Sequence, residues 1–177
     1  STYKFAFAKF LLEYCNQKTV EEHVEFSTIA KYFLEFFWPQ VCKTKLNHAP
    51  RYTKKSGIKE PEIIEIIKDQ FSESWYPKNY TYYEKQERIK IQNCISDIPE
   101  KCFNDVVWRF QKINNDEPDN PLFFKYKVEP GWNDPNKKKT DLTFGIYLNS
   151  EFIKFVKEKY VLLSAVVILE WARFLEK

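Results

Sequence analysis

Residues 161–175 read VLLSAVVILEWARFL, and this stretch decides the class of fold. It is apolar nearly all round until Glu170. A helix of that character is normally buried on several sides. The run Tyr160 to Leu169 is also too short to cross a bilayer. The expectation is a helical protein that buries its last helix. After Trp171 the chain runs to Lys177 without a Gly, a Pro or a polar tail. That ending reads as the N-terminal part of a longer protein.

Upstream, the same helical spacing recurs. Ser1 and Thr2 can cap a helix whose stripe is Tyr3, Phe7, Phe10, Leu11 and Tyr14. A short extended piece falls at His23 to Phe26. Ser27 then caps a helix with Ile29, Phe33, Phe36 and Phe37 on one face, and Pro39 should stop or kink it. Pro61 opens a third helix carrying Ile63, Ile66, Ile67 and Phe71. Thr81 and Glu84 have capping-box spacing for a fourth helix ending near Ile95. Asp97, Pro99 and Glu100 signal a fifth start, with Phe103, Val106, Val107 and Phe110 on its face. Leu122 to Val128 and Leu142 to Leu148 alternate as strands around a turn-rich stretch. Ser150 caps a helix with Phe152, Phe155 and Val156. The expected fold is mainly α, about seven helices with one small antiparallel β-hairpin, in a single domain over residues 1–177.

The bulk composition fits that outline. The chain has 177 residues, 44% hydrophobic and 18% aromatic, enough for a substantial core. With 3 glycines, Gly-rich phosphate loops are almost excluded. Cys15, Cys42, Cys94 and Cys102 form no C-x-x-C pair and have no histidine cluster beside them. They read as reduced core thiols of a cytoplasmic protein rather than a zinc site. The lysines within the apolar run of residues 1–14 argue against a signal peptide or a membrane span.

No catalytic constellation emerges. The histidines, His23 and His48, both sit in polar loops. No metalloprotease, P-loop, nucleophile-elbow or dinucleotide motif occurs. Glu60, Glu62 and Glu65 read as a favourable acidic first turn of the third helix.

The net charge of +3 is modest, but its distribution is uneven. No acidic residue occurs from Phe36 to Lys59. Lys43, Lys45, Arg51, Lys54 and Lys55 within that window could neutralise phosphates, with Tyr52 stacking on a base or sugar. Lys137, Lys138 and Lys139 form a second cluster at the expected hairpin tip, where they resemble the wing of a winged helix. The bland alternative for both clusters is a solvated charge run.

Several segments in order carry a resemblance: STYKFAFAKFLLEY, IAKYFLEFFWPQV, SDIPEKCF, LFFKYKV, GIYLNSEFIKFV and LEWARFLEK. Together they resemble the N-terminal region of a bacterial family of HNH endonucleases. In that family a Tyr-Lys helix opens the region and a Trp-Ala-x-x-Leu-Glu helix closes it. The HNH motif itself has no counterpart here. The resemblance therefore implies a non-catalytic part that binds or positions double-stranded DNA in restriction or anti-phage defence. The divalent metal would belong to the missing HNH module, and no cofactor to this chain. The alternative from a different class is a protein–protein interaction or dimerisation module, with a homodimer as its simplest form.

Overall fold

A computed structural model describes residues 2–42, 52–54, 57–59, 61–71, 79–103, 106–107, 110, 123–128 and 143–176. Six helices are present among the described residues, with a three-stranded antiparallel sheet and a two-stranded hairpin.

Helix α1 (Thr2–Cys15) buries the stripe its spacing predicts, with Tyr3, Phe7, Phe10 and Leu11 nearly inaccessible. Strand β1 (His23–Glu25) leads directly into α2 (Phe26–Cys42). Helix α2 therefore starts one residue before Ser27, which lies inside its first turn. It also runs through Pro39 instead of stopping there. Proline removes the donor that would reach the carbonyl four residues earlier, that of Glu35. Glu35 and Pro39 are both exposed, so water can satisfy that carbonyl.

The acid-free window contains a hairpin, β2 (Tyr52–Lys54) and β3 (Gly57–Lys59), where the sequence reads as a loop. Helix α3 (Glu62–Gln70) follows, with Glu62 and Glu65 in its first turn as expected. Its start has no side-chain cap of its own. The Ile63 N–H instead donates to the Tyr3 hydroxyl of α1 at 3.1 Å, which satisfies one of the orphan donors of that turn.

The next two helices break at a different place from the one expected. Helix α4 (Tyr80–Gln86) is capped by Asn79, whose side chain accepts from Tyr82 N at 3.0 Å, not by Thr81. Helix α5 (Arg88–Cys102) begins at Arg88 and passes straight through Asp97 and Pro99. The reason is its buried stripe. Ile91, Cys94, Ile95, Ile98 and Cys102 keep helical spacing across the apparent start signal and pack on α3. Asp97 pairs one turn on with Lys101 at 3.5 Å and caps nothing.

Strands β4 (Phe124–Val128) and β5 (Thr143–Leu148) pair antiparallel as expected. Strand β1 adds to the other edge of β5, giving the order β1-β5-β4. The third strand depends on Gly145. A Cβ there would land on the Val24 carbonyl oxygen, so only glycine lets β1 approach. Finally, α6 (Ser150–Leu175) joins two expected helices into one, bent at Lys159, where φ is −117° and ψ is 15°. Its cap is Asn149, accepting from Glu151 N at 2.9 Å, not Ser150.

The core is rich in aromatic rings. Phe7 meets Phe110 and Phe124 edge-on at 4.9 and 5.7 Å. Phe33 meets Phe103 at 5.2 Å, and Trp38 meets Phe71 at 5.5 Å. Such tilted pairs suit the ring quadrupole and add to area burial. Cys15, Cys94 and Cys102 are buried and free, as the sequence suggests. No helix among the described residues is long and apolar enough to cross a membrane.

Candidate interaction surface

Helix α6 packs on α1. Its first part is anchored by buried Val156 and by Phe152, whose ring lies 5.0 Å from Phe123. Beyond the bend it lies antiparallel along α1. Phe5 stacks on Trp171 at 6.1 Å and lies 5.7 Å from Phe174, while Cys15 lies towards Lys157. Trp171 also reaches Phe36 of α2 at 5.2 Å. The side facing the body carries Tyr160, Leu163, Val167 and Trp171.

The opposite side lies open. Val161 is 81% exposed, Leu162 63%, Ile168 61% and Leu169 51%. This corrects the expectation that the segment is buried on several sides. Its two faces are equally apolar, but α1 covers only one of them. Single exposed apolar residues are ordinary, whereas a contiguous group of them marks a contact surface.

A cleft runs along each flank of α6, so the helix stands as a ridge. One cleft, of about 330 Å³, is almost wholly apolar and lined by Leu11, Phe110, Phe123, Phe152, Phe155 and Val166 among others. The other, of about 130 Å³, has Tyr160, Ser164 and Trp171 on α6 facing Lys9 and Glu13 on α1. Glu13 is held there by Lys9 and by the Tyr32 hydroxyl, which donates to it at 2.7 Å. Burial, then the Glu13 carboxylate, raises the Tyr32 pKa well above its ordinary value. Tyr32 is therefore a fixed donor that locks α2 to α1.

The remaining polar groups read as structural. Lys31 of α2 bridges to Glu84 of α4 at 2.6 Å, and burial raises the nearby Glu35 carboxyl. His23 lies beside the Tyr147 ring at 4.9 Å and within 3.2 Å of Glu25. Tyr83 packs on Trp38 and Phe71 and serves the core. Among the described residues no group of three or more His, Cys, Asp or Glu side chains could hold a metal ion.

The residues singled out for phosphate contact are placed as follows. Tyr52 and Lys54 lie in β2, and the hairpin register sets Tyr52 opposite Lys59 and Lys54 opposite Gly57. Lys43, Lys45, Arg51, Lys55, Lys137, Lys138 and Lys139 lie outside the described residues, as does the wing-like tip. His48 lies outside them too. The open face of α6 was not singled out from the sequence. Its signal was the charge-free run Tyr160–Leu169, which leaves an outward side apolar wherever only one neighbour covers the helix.

Compared with protein-family models, with curated proteins and with solved structures, the chain matches none of them.

Proposed function

We propose that this chain is a protein–protein interaction module and that the outer side of α6 is its contact surface. The single observation that carries the reading is the exposure of Val161, Leu162, Ile168 and Leu169 on one continuous helical ridge. Four large aliphatic side chains in water forgo the roughly 25 cal/mol per Å² that burial would return. A surface of this kind is stabilised when another polypeptide covers it. Ile168→Glu should abolish association of the full chain with protein while leaving its melting temperature nearly unchanged, because the site is solvent-exposed in the monomer. Association that survives Ile168→Glu would refute the reading.

A second reading has its own support. The β2–β3 hairpin sets Tyr52 and Lys59 side by side inside the acid-free window. In this reading the hairpin and its flanks, with Lys43, Lys45, Arg51, Lys54 and Lys55, contact the phosphates of double-stranded DNA. Lys137, Lys138 and Lys139 would add a second contact. The chain would then be the DNA-positioning part of an HNH-type endonuclease, with cleavage and its divalent metal carried by another module. A gel-shift assay in low and high salt separates the two readings. DNA positioning requires affinity that falls steeply with salt, and a loss of about 1 kcal/mol or more in Lys54→Glu with Lys55→Glu. A salt-insensitive result, or no shift at all, removes it.

A further inference from the structure

We infer that the outer half of α6, residues 160–175, is a strap that swings off α1 as one unit about a hinge at Lys159, while the rest of the fold stays closed. The inference concerns how the helix is held and does not depend on what covers its open side. The hinge is visible in the backbone. Lys159 leaves the helical region at φ −117° and ψ 15°, and it follows two other exposed residues, Lys157 and Glu158. A change of direction at that point displaces no buried side chain of the hinge itself. Hinges are a few element-terminal residues of this kind that absorb the change in φ and ψ.

The two halves are held differently. Before the hinge, Val156 is fully buried, Phe152 lies 5.0 Å from Phe123, and the Asn149 N–H donates to the Phe123 carbonyl at 2.9 Å. That half cannot move without the sheet. Beyond the hinge no side chain from 160 to 175 is fully buried. The two clefts along α6 both reach Leu12 of α1 and Val167 of the strap, so the seam between the helices is thin at its middle. Atoms that line an open cleft lack partners on one side and contribute less to holding the strap down. The far end carries the latch. Trp171 stacks on Phe5 and reaches Phe36, and Phe174 lies 5.7 Å from Phe5. A hinge, a thin seam and an aromatic latch make a segment that opens at lower cost than the core, as segments with few buried contacts do. Opening bares Leu12, which is only 7% exposed when the strap is down.

The test reads thiol access in the full chain. Leu12→Cys puts a thiol beneath the strap, and native Cys15 lies on the same helix beneath the anchored half, towards Lys157. Alkylation by iodoacetamide is followed at each position by mass spectrometry of peptides, with circular dichroism confirming the fold. Adding Phe5→Ala removes the latch about two helical turns from position 12, and Phe5 lines neither cleft. Phe5→Ala should speed alkylation at position 12 by about tenfold or more, through the loss of its ring pairs, and leave Cys15 at its original rate. Val167→Cys, on the strap's side of the seam, should respond in the same way and takes the place of Leu12→Cys if that variant does not fold. An unchanged rate at the seam would overturn the strap, because the latch would then not control access there. A rise by the same factor at Cys15 would overturn it too, because the whole fold would then be opening rather than its outer half.

Discussion

Replacing Gly145 with alanine should loosen the β1 edge of the sheet by an amount that can be worked from its surroundings. The added Cβ would land on the carbonyl oxygen of Val24 and lie 3.1 Å from the Glu25 Cα. Both neighbours are backbone atoms and cannot rotate away, so β1 must shift. Overpacking of this kind costs about 1–3 kcal/mol. Weakening one of the ladder bonds between β1 and β5 adds about 1 kcal/mol. Val24, only 2% exposed, would also lose part of its packing. The expected loss is therefore about 2–4 kcal/mol. For a chain of this length that lowers the melting temperature by roughly 10 °C. Tyr147→Ala on the same strand is the control. Its side chain is 45% exposed, and truncation should cost under about 1 kcal/mol. A Gly145→Ala protein that melts within about 2 °C of wild type would show that β1 does not approach β5 as described.

Three further outcomes are expected. Trp171→Ala removes the rings' hold on the far end of α6, so amide exchange over 165–175 should quicken by about tenfold or more while the rest of the chain keeps its protection; unchanged exchange there would show that other contacts hold the helix down. Phe7→Ala empties a fully buried site ringed by Phe10, Phe110 and Phe124, and should cost about 3–5 kcal/mol in urea unfolding; a loss under about 1 kcal/mol would contradict that packing. Burial pushes the Cys15, Cys94 and Cys102 thiols up to about 12. Above about pH 8.5 the unfolded chain ionises these thiols and binds fewer protons than the folded one. Stability should then fall as pH rises through this range. A urea midpoint that stays flat from about pH 8 to pH 10 would show that these thiols are not held protonated by the fold.

The apolar stripes of α1, α2 and α3 were legible because each faces one core and keeps a single period. Strands β4 and β5 were legible because their alternation and turn residues agree. Local start and stop signals served less well. Asp97, Pro99 and Glu100 have the chemistry of a helix start, but the buried run from Ile91 to Cys102 ties both sides of them to α3. Pro39 is tolerated near the end of α2, where Glu35 and Pro39 are both exposed residues. The β1–β5 pairing depends on residues about 120 apart and on the missing side chain of Gly145, which no local pattern encodes.

The α6 surface was hidden for a related reason. Hydrophobic period separates a covered side from an open one only when the open side is polar. From Tyr160 to Leu169 both sides are apolar, so the sequence says that the helix wants cover and not how much of it the same chain supplies. The basic clusters were easy to see, because runs of lysine need no fold to be noticed. Their spatial grouping depends on the hairpin register, which sets Lys54 and Lys59 on paired strands.

The claim that the outer side of α6 is covered by protein, taken in its simplest form as a homodimer, is tested by the molar mass of the wild-type chain in solution as a function of concentration. A rise from 21.4 kDa towards twice that value is expected, abolished by Ile168→Glu. A mass that stays at 21.4 kDa at every concentration, or a dimer that ignores Ile168→Glu, would contradict it.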